Sequence, residues 1–267
     1  MSIRAGRWAG PLGGILLAAG CSWSCGGQQN PTRPGSATSA GAQTDPSRFY
    51  FPITIDYADP SLYLQGGAQS TLAADNVDVV NGQIQAQSRD IVAVGRIFHW
   101  IGRSFTAASA GGATIGRTDV NDLVRGRILY GCHDWGLLLS TLLRHFGFPA
   151  IMVDGAGIDW AERYRTGQVT SFSGHVYVEV YLEQHWIVVD STSGMYAANY
   201  DYREPVLPFT QSGDSRGHYV LYKGVDPAGY GVTSNEILTA RMREFAQALP
   251  GITLSFPVYD LRPLPNQ

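Results

Sequence analysis

The sequence predicts an α+β fold, built from one strongly amphipathic helix, a tight antiparallel pair of strands, and further helices on either side. Three observations carry that expectation. Trp135, Leu138, Leu139, Leu142, Leu143 and Phe146 recur at helical spacing and form one apolar stripe. Residues 174–181 and 185–190 alternate with a period of two, with Val176, Val178, Val180, Leu182, Ile187 and Val189 on one face. Residues 88–105 and 234–249 read as additional helices, the first with Ile91, Val94, Ile97, Phe98 and Ile101 on its apolar side.

Taken in order, residues 49–57 alternate and read as a first strand or extended edge. A Gly/Ala-rich loop is expected over 107–116. A short helix over 119–129, capped at Thr118 or Asp119, feeds into Tyr130-Gly131-Cys132. The helix that opens at Cys132 carries Asp134 in its first turn and Arg144 and His145 in its last, each matched to the helix dipole. Gly147 suits a left-handed cap and Pro149 prevents continuation. Gly136, one turn after Cys132, leaves room for a close neighbour. The proline-rich C-terminus reads as a surface tail.

The chain has 267 residues, 44% of them hydrophobic and 15% charged, enough for one catalytic domain with appendages or at most two small domains. Net charge is −3, and −5 once the first 20 residues with Arg4 and Arg7 are set aside, which argues against a nucleic-acid binder with a basic face. Lys223 is the only lysine. Residues 1–20 read as an export signal: a basic start, then a short apolar stretch broken by Pro11 and too short to span a membrane. It ends Leu17-Ala18-Ala19-Gly20-Cys21, which resembles the bacterial lipoprotein processing box, with the leucine one place further from the cysteine than usual. That resemblance implies cleavage before Cys21 and a lipid on its thiol, hence an exported cell-envelope or periplasmic protein anchored to a membrane. Ordinary signal cleavage nearby is the alternative. Residues 21–47, with Cys25, read as a flexible tether, leaving 48–267 as the folded domain. Cys132 is then the sole cysteine of that domain, a thiol without a disulfide partner.

Cys132, His175 and Asp190 are the candidate catalytic residues. A thiol at a helix N-terminus has its thiolate favoured by unpaired backbone N–H groups and the dipole. A histidine can take its proton, and an aspartate can hold the imidazole in one tautomer. A two-residue turn at Glu183-Gln184 pairs Leu182 with His185 and sets Tyr177 opposite Asp190, leaving His175 as the diagonal neighbour of Asp190, roughly 7–8 Å away at the backbone. A three-residue loop would turn Asp190 away. Taken singly, each residue has an ordinary reading: a core cysteine, a satisfied strand histidine, a turn aspartate. Cys132, His133, Asp134 and His145 do not read as a metal site, because Cys132 and His145 are more than three helical turns apart. Neither a metal nor a cofactor is expected.

The blocks Gly131-Cys132-His133-Asp134, Leu142-Leu143-Arg144-His145-Phe146-Gly147-Phe148-Pro149-Ala150, Gly174-His175-Val176-Tyr177-Val178-Glu179-Val180 and Trp186-Ile187-Val188-Val189-Asp190-Ser191-Thr192 resemble the transglutaminase-like superfamily over about residues 88–196. The resemblance implies a papain-like core in which the cysteine helix packs on an antiparallel sheet. It further implies Cys132 as nucleophile, His175 as general base and acid, and Asp190 as orienting carboxylate. The expected function is cysteine-dependent acyl transfer on amide bonds of a peptide or protein substrate, as protease or amidase or as a transglutaminase. The alternative is a catalytically inactive peptide-binding or scaffold module of the same fold. Tyr130 and Trp186 are candidates to assist at the oxyanion. Asp154 and Ile158-Asp159-Trp160 either line the cleft or, as the stronger expectation, are ordinary loop residues. The segment from Tyr222 onward is expected to lie outside the shared core.

Overall fold

The computed structural model describes residues 48–84, 88–109, 112–210 and 214–266. The signal-like segment, the tether, Cys21 and Cys25 lie outside the described residues. Two helices, α1 (Ala74–Gln83) and α2 (Ile91–Ser104), lead into β1 (Thr106–Ala107), α3 (Val120–Gly126) and β2 (Ile128–Leu129). The cysteine helix α4 (Cys132–His145) follows, then β3 (Ala150–Gly157), α5 (Ile158–Arg165) and the hairpin of β4 (Gly174–Leu182) and β5 (His185–Asp190). The chain continues through β6 (Met195–Ala197), β7 (Val206–Leu207), β8 (His218–Gly224), α6 (Asn235–Ala248) and β9 (Leu261–Pro263).

Seven strands form one antiparallel sheet in the order β7-β8-β3-β4-β5-β6-β9, while β1 and β2 make a separate parallel pair. The central strands have both faces covered. On one side the stripe of α4, with α2 and α3, buries Leu138, Leu139, Leu142 and Leu143 against Met152, Val176, Val178, Val180, Ile187 and Val189. On the other, Ile151, Val153, Tyr177, Trp186 and Val188 pack beneath Phe49, Ile53, Ile55 and Tyr57. A third cluster seats α5 and α6 on β8 around Tyr219, Trp160, Met242 and Phe245. Burying side chains of this size stabilises by about 1.5–3 kcal/mol each.

Each end of α4 has a local cause. Gly131, the N-cap, has φ 149° and ψ −172°, a region open essentially to glycine alone, and it makes the sharp turn that sets Cys132 at the first helical position. The Asp134 carboxylate reaches back to accept the Tyr130 N–H at 2.8 Å, closing that turn. At the far end Gly147, at φ 84°, reverses the chain into β3. Gly136 is the close approach that its position suggested: a Cβ there would overlap Val176 Cγ1 on β4. Because α4 and β3 run antiparallel through this short connection, Cys132 stands where β3 ends and β4 begins.

The hairpin has the expected register. Glu183 and Gln184 both take positive φ, as a two-residue turn of this handedness requires, and Tyr177 pairs with Asp190. Of the two readings of residues 49–57 the extended edge holds, and two other expectations, the end of the 119–129 helix and the C-terminal tail, are corrected. Residues 49–57 bury alternate side chains but form no strand; they run as the extended edge, hydrogen-bonded to side chains such as the Tyr219 hydroxyl rather than to a ladder. The helix expected over 119–129 stops at Gly126, because Arg127 adopts a left-handed conformation (φ 55°) that releases Ile128–Leu129 to pair with β1. The C-terminal tail is not merely surface, since β9 pairs with β6 at the sheet edge. Tyr222–Gly224, outside the expected core of about 88–196 as anticipated, forms the end of β8 and pairs with β3, so the sheet continues past that core.

Candidate active site

Cys132 on α4, His175 on β4 and Asp190 at the end of β5 come together. His175 Nε2 lies 2.8 Å from Asp190 Oδ1, both side chains buried. The Cys132 thiol interacts with that imidazole, and each shifts the other's pKa. With Nε2 committed to the carboxylate, Nδ1 is the nitrogen left for sulfur. Cys132 is partly buried, packed against the α4 core cluster, while His175 and Asp190 are buried.

Asp190 is held as an anion by more than histidine. Its Oδ1 also accepts the Thr192 N–H (2.9 Å), the Thr192 hydroxyl (3.0 Å) and the Ser193 N–H (3.2 Å), the turn that ends β5. Burial alone would raise its pKa. The His175 charge and hydrogen bond, then the two backbone donors, outweigh burial and hold the carboxyl well below the usual range. Burial likewise disfavours charged His175, but Asp190 and the thiol raise its pKa well above the ordinary value.

A second imidazole acts on the same sulfur. His133, next to Cys132 in the first turn of α4, lowers the thiol's pKa together with His175. Its Nε2 lies 2.8 Å from Asp154 Oδ1, again with both side chains buried. The distance is that of an ion pair, but the N–H is poorly aligned with the oxygen, so the attraction is chiefly coulombic. Asp154 accepts a further hydrogen bond at Oδ2 from the Tyr230 hydroxyl (2.6 Å), whose ring stacks on Tyr222. Burial would push the His133 pKa down; the Asp154 charge leads the effects that reverse this, and the pKa rises to about 10. For Cys132, burial favours the thiol, yet the hydrogen bonds and positive charge of the two histidines bring its pKa down to about 6.

Asp154 is therefore not a loop residue. It is buried within β3, at the point where the register with β8 shifts. Its signal was available: one acid inside a strand of otherwise apolar and small residues (Ala150-Ile151-Met152-Val153-Asp154-Gly155-Ala156) needs a polar partner in the core. Tyr230 arrives from a distant loop and had no local signal. Trp186 is remote, four residues along β5 from Asp190 or about 13 Å, packed against Tyr57, Tyr63 and Tyr181. Asp159 instead binds Arg216 and Ser215. Tyr130 lines a cavity of about 340 Å³ beside the cysteine turn, with Thr114, Arg117 and Thr118. His145 stands at the opposite end of α4, against Asn81. Among the described residues no group of three or more His, Cys, Asp or Glu side chains is arranged to hold a metal ion.

Residues 78–191 match the family model of the transglutaminase-like superfamily. Three solved structures are similar to this chain over part of its length. A candidate cysteine protease from Cytophaga hutchinsonii is 17% identical, with a TM-score of 0.46 over 67% of this chain and 50% of that one. The periplasmic domain of TgpA from Pseudomonas aeruginosa is 23% identical, with a TM-score of 0.39 over 52% of this chain and 48% of that one. A TGase is 16% identical, with a TM-score of 0.34 over 72% of this chain and 55% of that one. The chain thus spans about half the length of each. No curated protein matches it.

Proposed function

We propose that the protein is a cysteine-dependent acyl-transfer enzyme acting on amide bonds of peptides or proteins, with Cys132, His175 and Asp190 as its catalytic triad. The observation that carries this reading is the continuous chain of interactions from the partly buried Cys132 through the buried His175 to the buried Asp190. The Cys132 thiolate attacks the carbonyl carbon; a C–S bond forms and the π pair moves to oxygen beside the first-turn N–H groups of α4. Collapse of that intermediate breaks the C–N bond, and the departing nitrogen takes the His175 proton, leaving a thioester and a neutral imidazole. Water or an amine then attacks the thioester while His175 takes up its proton, and Cys132 leaves as thiolate. Asp190 holds His175 in place and stabilises its charged form.

Self-crosslinking through lysine has no available amine, since Lys223 is the only lysine and its side chain is fully buried against Glu179. For foreign substrates both acceptors fit the same chemistry. The protein is further proposed to be exported and held at the cell envelope by a lipid on Cys21. The deciding experiment is site-resolved alkylation of the full chain with iodoacetamide, comparing Cys132 with Cys25 by peptide mass spectrometry. Fast Cys132 labelling near pH 6–7 that slows in His175→Ala supports the activated nucleophile. It is then followed by a search of peptide mixtures for new termini, released ammonia or new isopeptides absent from Cys132→Ala. Labelling no faster than Cys25, and indifferent to His175, would sink the enzyme reading and favour a binding module.

A further inference from the structure

The site contains more machinery than a triad uses. Two buried imidazoles, not one, reach the same sulfur, and each is backed by its own buried carboxylate at 2.8 Å. The two pairs come from different elements. His175 and Asp190 are cross-strand neighbours on β4 and β5, whereas His133 is on α4 and Asp154 on β3. Their surroundings also differ. The backbone and hydroxyl donors of Thr192 and Ser193 converge on Asp190, while Asp154 is held by the single Tyr230 hydroxyl.

We propose that His133 is a second catalytic imidazole, a fixed cation that holds Cys132 as thiolate while His175 alone carries the proton, with Asp154 and Tyr230 as its positioning residues. This rests on the acyl-transfer reading above. The physical argument concerns division of labour. His175 must give its proton to the leaving nitrogen and later regain one, so it is neutral for part of the cycle. A single imidazole that does both jobs cannot be a permanent counter-charge to sulfur. His133 can, because nothing in the reaction asks it to release a proton. It sits in the first helical turn, so its charge adds to that of the helix N-terminus at the same atom. A buried imidazolium is costly unless it is paired, and the Asp154 carboxylate supplies the pairing. Tyr230 satisfies the second carboxylate oxygen without competing for the first.

The other charged or titratable groups around this sulfur do not supply the same effect. Asp134, the next residue but one, is turned to the Tyr130 N–H, and burial pushes its pKa up. His218 on β8 lies with its ring 6.2 Å from that of His175, engaged at Nδ1 with Tyr177 and Phe209, and burial holds it neutral. Asp226 is committed to the Gln69 and Gly229 N–H groups and the Ser70 hydroxyl. Among the described residues, His133 is thus the cation that remains to the thiolate when His175 gives up its proton.

The test measures the thiol itself and needs no substrate. Full-length wild type, His133→Gln, Asp154→Asn, Tyr230→Phe and His175→Ala are alkylated with iodoacetamide from pH 4 to 10. The Cys132 rate is read by peptide mass spectrometry, with folding checked by circular dichroism and melting. Wild type should show a midpoint near 6. His133→Gln keeps a hydrogen-bonding side chain but no charge, and should lower the Cys132 rate at pH 6 about fivefold or more, since a one-unit rise from a pKa near 6 cuts the thiolate fraction from about one half to about one eleventh. Asp154→Asn should move the profile the same way, and Tyr230→Phe less so. A His133→Gln profile that coincides with wild type, while His175→Ala shifts, overturns the second imidazole and leaves the triad standing. If neither variant shifts, the acyl-transfer reading falls with it. Should His133→Gln fail to fold, imidazole NMR of the unaltered protein decides. Two imidazoliums persisting above pH 8 support the proposal, and a His133 that is neutral at pH 8 refutes it.

Discussion

Strand β4 carries two clusters of buried charge, four residues apart, built to opposite ends. Around Glu179 everything is closed. Its Oε1 meets Lys223 Nζ at 2.6 Å and the Tyr200 hydroxyl at 2.6 Å, its Oε2 meets the Tyr57 hydroxyl at 2.7 Å, and the ammonium also reaches the Tyr202 carbonyl at 3.1 Å. Both charged side chains are 0% exposed. Around His175 the charges are as deeply buried, but they converge on one residue, Cys132, that is only partly buried. Buried charge alone therefore does not mark a functional site. The difference lies in whether the cluster ends on itself or on a thiol at the edge of the core.

The largest effect should come from breaking the closed cluster. Lys223→Met leaves Glu179 buried without its counter-ion and should cost about 3–5 kcal/mol in urea unfolding. Replacing both, as Lys223→Met with Glu179→Leu, should restore much of that loss, because no orphaned charge remains. Neither change should move the pH profile of Cys132 alkylation. A shifted profile would mean that the two clusters are electrostatically one, and the comparison would collapse.

The second effect bears on the open cluster. His133→Gln should destabilise the fold by about 3 kcal/mol where the ion pair is fully formed, and the loss should depend on pH. The folded His133 pKa is raised to about 10 from an ordinary 6.5. Its contribution is thus fully present below pH 6.5 and disappears as pH rises through about 10. Melting of wild type and variant should be furthest apart near pH 6 and converge toward pH 10. A gap that stays constant across that window would show that His133 acts by packing and not by charge.

Much of this geometry could be read from the residues, and what escaped has a physical reason. The stripe of α4, its stop at Gly147, the space at Gly136 and the Tyr177–Asp190 register are local or nearest-neighbour consequences of sequence, so periodicity and turn length were enough. His175 and Asp190 follow from the same hairpin register, whereas the meeting of Cys132 with them depends on how α4 packs on the sheet, which the family resemblance implied and no periodicity supplied. The His133–Asp154–Tyr230 arm joins a helix, a strand and a distant loop, which no periodicity connects. The extended edge at 49–57 shows the converse. Its alternating pattern is correct for burial, yet the Tyr57 hydroxyl is spent on Glu179 and no neighbouring strand supplies a ladder. Pattern predicts which side faces in; whether hydrogen bonds follow depends on what lies alongside.

A third effect separates the two clusters by readout. His175→Ala removes one of the two cations beside sulfur and should lower Cys132 alkylation at pH 6 about tenfold, or about 1.4 kcal/mol. Urea unfolding then tells whether the change is local. A rate loss accompanied by a collapse in stability comparable to that of Lys223→Met would make His175 a structural residue like Glu179, and the contrast between the clusters would fail.

The smallest effect is the most specific test of closure. Tyr57→Phe removes the hydroxyl that donates to Glu179 and accepts from Lys223, while leaving Lys223 and Tyr200 on the carboxylate. It also keeps the ring that stacks on Tyr202 at 3.9 Å and meets Trp186 edge-on at 5.4 Å. The loss should be about 1–2 kcal/mol, the net value of two hydrogen bonds, since the ion pair remains formed and the ring remains packed. Tyr57 is also what ties the 49–57 edge to the sheet through a side chain in place of a ladder. If that hydroxyl is the main tether, proteolysis within residues 48–57 should accelerate in the variant more than global unfolding does. Equal acceleration of both would show that the edge is held by its buried alternate side chains, and that Glu179 needs only its lysine and Tyr200.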